Sequence, residues 1–250
     1  MKDFVEIGKQ YGYKYNFFLY YWQGAKDVCR YCIFGMECNI LFKILKLFPK
    51  QRKLAVSKDT EITIEGFPGS GNSFAVKAFE YAQGRSIKIA HHLHLPCQII
   101  ESVKRNIPTL VLVRNPIDTI VSMISRTFIS RYSYFYADPK LLFRYYVKFY
   151  KKILPVIDFI VIADFDDVIK DFGKIIKKIN IKYGSSFSLF QHTQENVQKV
   201  LASNELRLAR PMEFRKELKK KVKKMLLQEP RYKSFLSEAC EIYHKVKEKD

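Results

Sequence analysis

Apolar positions along the chain follow two rhythms, and the places where the rhythm changes predict its elements. Ile62-Thr63-Ile64 alternates as a strand does and stops at Gly66. The next residues, Gly66-Phe67-Pro68-Gly69-Ser70-Gly71, are rich in turn formers, and Asn72 to Gln83 then reads as a helix ended by Gly84. Ile87 to Ala90 is a second short strand leading into His91-His92-Leu93-His94, and Pro96 opens a helix that runs to about Arg105. Thr109 to Val113 is a continuous apolar, β-branched run, the pattern of a strand buried on both faces of a parallel sheet. Asn115-Pro116 supplies an N-cap and an N1 proline, and Asp138-Pro139 repeats the signal before a long aromatic helix to about Leu154. Val156 to Ala163 is expected to be a fourth strand, ending at Asp164. Helices are expected over Asp167–Ile181, Thr193–Ser203, Pro211–Gln228 and Pro230–Lys247. In the third of these, Phe214, Leu218, Val222 and Met225 form one apolar stripe, which leaves Lys219 to Lys224 as a solvated face.

Strand and helix alternate with short links. This implies βαβ units with right-handed crossovers, and an α/β fold with a central parallel sheet flanked by helices. Residues 1–55 read as a helical or irregular lead-in that closes on Lys50-Gln51-Arg52-Lys53, and residues 56–250 as a single α/β domain with a helical C-terminus. No internal repeat is visible.

Composition narrows the function more than the fold. The 250 residues carry 44 Lys+Arg against 25 Asp+Glu, a net charge of +19, which predicts an anionic partner. Aromatics at 15% and apolar residues at 48% exclude a disordered chain. The five cysteines are an odd number, with Cys29, Cys32 and Cys38 grouped and Cys97 and Cys240 apart. Free thiols in a reducing cytoplasm are therefore expected rather than a disulfide framework or a zinc site. No signal peptide is expected. The apolar stretch Val28–Phe48 is broken by Arg30, Glu37, Lys43 and Lys46, so no transmembrane helix is expected either. The aromatic run Tyr15 to Trp22 is suited to packing on the domain or to peripheral contact with a membrane.

Candidate chemistry gathers at strand ends, where open α/β sheets bind ligands. Strand, then Gly66-Phe67-Pro68-Gly69-Ser70-Gly71-Asn72-Ser73, then helix is an arrangement whose backbone N–H groups can surround an anion, with the hydroxyl of Ser73 at the first turn. The segment nearly matches the G-x-x-x-x-G-K-[ST] pattern, with Asn72 in place of the lysine that an ATPase needs. At the next strand end Arg114 is followed eight positions later by Ser122, with Arg126 one turn further on the same face, a set able to grip a second phosphate.

Together the two segments resemble the sulfotransferases that use 3′-phosphoadenosine 5′-phosphosulfate (PAPS). Phe67 to Phe74 is similar to that family's 5′-phosphosulfate loop, and Arg114-Asn115-Pro116-Ile117-Asp118 through Ser122 to its 3′-phosphate signature. Asp164-Phe165-Asp166-Asp167-Val168 echoes an aromatic-acidic segment of the family, and the likeness spans about Glu61 to Phe187. The resemblance implies a P-loop-like three-layer α/β/α fold and a PAPS co-substrate held by Pro68, Gly69, Ser70, Gly71, Asn72, Ser73, Arg114, Ser122 and Arg126. It implies sulfuryl transfer to a hydroxyl or amine, such as that of a glycan or lipid, without a metal, and with His as base. His94 fits the family's His-Leu-Pro wording and His92 its spacing to the arginine, so both are candidates. The acceptor pocket would draw on Thr127 to Tyr136; nucleic acid is not an expected partner. The family keeps Lys or Arg where this chain has Gly69, with Lys77 one turn beyond the loop as a possible stand-in. It also keeps a C-terminal Arg-Lys-Gly loop, for which Arg207, Arg210 and Arg215 could substitute. Two rival readings follow. One is a P-loop kinase or ATPase with Asp164 supporting Mg²⁺, and the other is a catalytically degenerate basic binding protein.

Overall fold

The β-branched runs pair with one another in parallel. The computed structural model describes residue 42 and residues 46–127, 139–203 and 213–249. Its strands are β1 (Ile62–Gly66), β2 (Ile89–His91), β3 (Thr109–Val113) and β4 (Val161–Asp164), and the sheet order is β2-β1-β3-β4. All three pairings are parallel, with Ile64 beside Leu110 and Val111 beside Ile162. Helices α1 (Pro49–Leu54), α2 (Asn72–Gln83), α3 (Pro96–Lys104), α4 (Pro116–Thr127), α5 (Pro139–Ile153), α6 (Phe165–Lys170), α7 (Phe172–Tyr183), α8 (Gln194–Ala202), α9 (Glu213–Gln228) and α10 (Lys233–Lys247) surround it.

Strand alternation divides the core into two layers. Ile62, Ile64, Leu110, Leu112, Val161 and Ala163 face α2, α7 and α8, while Val111, Val113 and Ile162 face α4, α5, α9 and α10. The fold is therefore a central parallel sheet with helices on both faces, as the alternation of strand and helix requires. From β1 the chain passes outward to β2 and then back across β1 to β3. This reversal makes the carboxyl ends of β1 and β3 the switch point at which such sheets open a crevice.

Several boundaries differ from the sequence reading; Pro230–Tyr232, for instance, is a 3-10 turn, and α10 starts only at Lys233. Val156 to Phe159 is no strand: Leu154–Phe159 is a 3-10 turn and β4 begins at Val161. Pro155 has no N–H to give a ladder, and the carbonyls of Asp158 and Phe159 accept from Lys182 and Tyr183 side chains instead of from a neighbouring strand. The helix expected over Asp167–Ile181 is two helices. Asp164 starts the first early by accepting from the N–H of Asp166, and Asp171 ends it and caps the next through the N–H of Lys174. The second strand begins at Ile89 rather than Ile87 and takes in His91.

The end of the lead-in is tied to the domain. Phe42, Ala55 and Val56 pack with Ala90, Leu95, Cys97 and Ile107, and the Gln98 amide bonds the backbone of Val56 and Leu54. Among the described residues no helix is long and apolar enough to cross a membrane. The aromatic run 15–22, Cys29, Cys32, Cys38, the tyrosines at 132–136, Arg207 and Arg210 lie outside the described residues, as does the side chain of Arg126.

Candidate functional site

The loop after β1 is built to approach its neighbours closely. A Cβ at Gly66 would stand 2.6 Å from the carbonyl of Leu112, so only glycine lets β1 end against β3 there. Phe67 anchors the next residue, edge-on to Tyr146 and Phe149 with ring centroids 5.3 and 5.9 Å away. Gly69 and Gly71 then adopt φ of 93° and 96°, which L side chains rarely reach. Position 69 therefore lacks a cation for a backbone reason: a Lys or Arg there would be strained in this loop. Asn72 turns its amide back to the carbonyl of Phe67 at 3.1 Å. It braces the loop from within, where a lysine would reach outward.

β3 delivers Arg114 to the same loop. Its Nη1 donates to the Gly69 carbonyl at 3.0 Å, and the guanidinium lies over the Phe165 ring at 3.8 Å. Asn115 caps α4 by accepting from the N–H of Ile117 at 3.1 Å, and α4 carries the buried hydroxyl of Ser122 to the same crevice. Beneath, two tyrosines of α5 hold the strand end: Tyr146 donates to the carbonyl of Arg114 at 2.7 Å and Tyr150 to that of Leu112 at 2.8 Å. Burial pushes both phenols well above the ordinary range, so they stay neutral donors.

The histidine segment follows β2. His92 and His94 have φ of 57° and 55°, left-handed conformations that few non-glycine residues take. His92 Nε2 hydrogen-bonds Ser73 Oγ at 3.0 Å, and its Nδ1 meets that of His91. His94 Nδ1 lies 2.8 Å from the carbonyl of Gly66. A carbonyl only accepts, so Nδ1 carries the proton and the neutral ring is basic at Nε2. Behind this segment lies Glu65, fully buried. Its carboxyl accepts from the N–H groups of Leu93 and His94 and from the amide of Gln98. Burial pushes its pKa up to about 8, against the pull of those donors.

These pieces meet in one cleft of about 370 Å³, lined by Gly69, Gly71, Asn72, Ser73, His92, His94, Arg114 and Ser122. One wall is cationic, with Arg215, Lys216 and Lys219 of α9, and another is apolar, with Phe165 and Ile169 of α6 and Val197 and Leu201 of α8. Pro68 and Ser70 are loop members outside this lining; the hydroxyl of Ser70 faces Tyr150 at 3.5 Å. Lys77 pairs with Glu80 at 2.8 Å. Asp164 turns away: it accepts from Tyr243 at 2.6 Å and lies 3.4 Å from Lys247, so it faces α10 and not the cleft. Of the three C-terminal arginines expected as substitutes, Arg215 is in the cleft wall.

Sequence reasoning missed Glu65, Tyr146, Tyr150, Lys216 and Lys219. A charged residue inside a strand buried on both faces was a signal for Glu65, and Arg215 falls on the stripe of Leu218 and Val222 at helical spacing. Compared with known proteins, the chain matches no family model, and no curated protein is similar to it in sequence.

Proposed function

We propose that the cleft binds PAPS in a P-loop-like loop and that the protein transfers the sulfuryl group to a hydroxyl or amine acceptor. The observation that carries this reading is the meeting of the 69–73 loop, Arg114, Ser122 and two histidines in one cleft at the switch point of the sheet. Loop N–H groups and the Ser73 hydroxyl would hold the phosphosulfate end, and Arg114 and Ser122 the 3′-phosphate. Arg215, Lys216 and Lys219 add positive potential where the co-substrate's phosphates and an anionic leaving group would sit. His94 or His92 takes the acceptor's proton as its oxygen or nitrogen attacks sulfur, and the sulfur–oxygen bond to the nucleotide breaks. The reading keeps the protein in a reducing cytoplasm with Cys97 and Cys240 as free thiols, and leaves the acceptor as a glycan, a lipid or a smaller alcohol or amine.

Two features weigh against the kinase reading. Asn72 braces the loop where the kinase lysine would extend, and Asp164 faces Tyr243. The test is calorimetry followed by turnover. We expect 3′-phosphoadenosine 5′-phosphate to bind and ATP with Mg²⁺ to bind far more weakly. Labelled sulfuryl transfer to an acceptor panel should then exceed that of a His92→Ala/His94→Ala variant. Preference for ATP sinks the reading; binding without transfer reduces the protein to a degenerate binding module.

A further inference from the structure

We propose that Glu65 is a positioning residue for His94: from beneath the sheet end, its carboxyl group holds the Leu93–His94 backbone, with His94 in its left-handed form, and keeps the His94 ring against Gly66, with Nε2 as its basic atom. The inference rests on the reading of His94 as a candidate base in the cleft, and it deepens that reading.

The geometry is specific. Left-handed backbone is strained at a residue with a Cβ, and it persists only where the surroundings over-determine it. Here two such residues, His92 and His94, flank Leu93. His92 is held by Ser73 and His91, and the backbone of Leu93 and His94 by one side chain. Oε1 of Glu65 accepts from the N–H of Leu93 at 2.8 Å, and Oε2 from that of His94 at 3.2 Å. Gln98 of α3 braces Oε1 from the other side at 2.8 Å, and the N–H of Gly66 lies 3.3 Å from Oε2. Each of these four contacts is a donor, the set that an ionised carboxylate satisfies in full, so the grip is tightest above about pH 8, where the buried carboxyl ionises. The Gly66 carbonyl that receives His94 Nδ1 belongs to the residue next to Glu65, so backbone and ring are held from one point. Oε2 lies 3.7 Å from Nδ1, close enough for its charge to act on the ring.

Several elements face Glu65. The 91–94 segment presents His94, with the coupled pair His92 and His91 beyond it; α3 presents the neutral Gln98; and β3 presents Val111, its partner in register. Burial outweighs the four donors and brings ionisation of the carboxyl to about pH 8. Its charge state is thus readable at the histidine in an experimentally mild range.

NMR titration of the whole protein tests this without any substrate. The His94 ring resonance should move in two steps, one with its own protonation and a second near pH 8 that the Leu93 and His94 amides share. Glu65→Gln should abolish the second step while the far-ultraviolet circular dichroism stays unchanged. Leu93 and His94 amide shifts that Glu65→Gln leaves unaltered, or a second step that survives in Glu65→Gln, overturns the proposal. If the variant fails to fold, a second step in the wild type that the two amides do not share overturns the proposal alone. Kinetics separate this inference from the reading beneath it. Two shared steps in a protein that transfers nothing support the positioning and remove the transferase. In an active protein assayed above pH 8, where the carboxyl is ionised, Glu65→Gln should lower kcat about tenfold with KM for the nucleotide unchanged. It should add nothing on a His94→Asn background, and an additive effect there counts against Glu65 acting through His94.

Discussion

At Glu65 two opposing influences meet: four N–H groups favour the charge, and a site closed to water disfavours it. Burial prevails, and the pKa rises from about 4.5 to about 8. The consequence for stability has a definite sign. Between those two values the folded chain keeps the proton and the unfolded chain has lost it, so unfolding releases a proton. Stability therefore falls as pH rises through that window, by about 1.4 kcal/mol per pH unit from this group, and the contribution levels off above about 8. Glu65→Gln removes the titration. Urea unfolding of both proteins at pH 5, 6, 7 and 8 should show the wild type losing stability relative to the variant with each step. Parallel curves would mean that the carboxyl is ionised across the range. This residue also marks how far single positions were legible. Ser73, Arg114, Ser122 and the two histidines stand in short motifs that single them out, and the fold brings them to one cleft. Glu65 has no motif. Its role comes from a loop 28 residues away that folds over it, a contact local sequence does not carry. The glycine at position 69 was legible as a departure, but its cause, a φ of 93°, lies in the loop's backbone.

Elements read best where their signals are local. Asn115-Pro116 predicted the start of α4, and the cap is formed by Asn115 itself. Gly84 predicted the end of α2 and ends it at φ 61°. The Val156–Ala163 run failed because apolar residues specify burial without specifying conformation, and two of its carbonyls, those of Asp158 and Phe159, accept from side chains of α7. The aromatic richness of α5 was visible, but not its purpose. Tyr146 and Tyr150, one turn apart, press their hydroxyls onto the carbonyls at the end of β3 while their rings pack at 4.7 Å. α5 thus fixes the height at which Arg114 leaves the sheet. Tyr150→Phe keeps the ring and removes the donor, leaving the Leu112 carbonyl one bond poorer in a dry site. A loss of about 1 kcal/mol in unfolding free energy is expected. An unchanged denaturant midpoint would show that the strand end does not depend on that bond.

Across the whole molecule, the +19 charge divides between a cleft and a surface. Arg114, Arg215, Lys216 and Lys219 line the cleft, whereas Lys220 and Lys221 on the same helix lie outside its lining. α9 is held on α4 by the buried Leu218 and Val222 and by Lys223 on Asp118 at 2.7 Å, so its first turns are fixed over Ser122. The amphipathic stripe identified this helix, but not that its polar flank closes a site, because the strand ends it covers are distant in sequence. The two sets of lysines can be separated. Lys216→Gln/Lys219→Gln should weaken binding of 3′-phosphoadenosine 5′-phosphate roughly tenfold at low salt, at about 0.2–1 kcal/mol per exposed charge pair, and should flatten the dependence of affinity on salt. Lys220→Gln/Lys221→Gln removes the same charge from the same helix outside the cleft. It should perturb both quantities less, because Lys220 pairs with Glu217 at 2.8 Å and neither side chain lines the cleft. Equal losses from both variants would mean that the nucleotide responds to the field of the whole basic surface rather than to this wall.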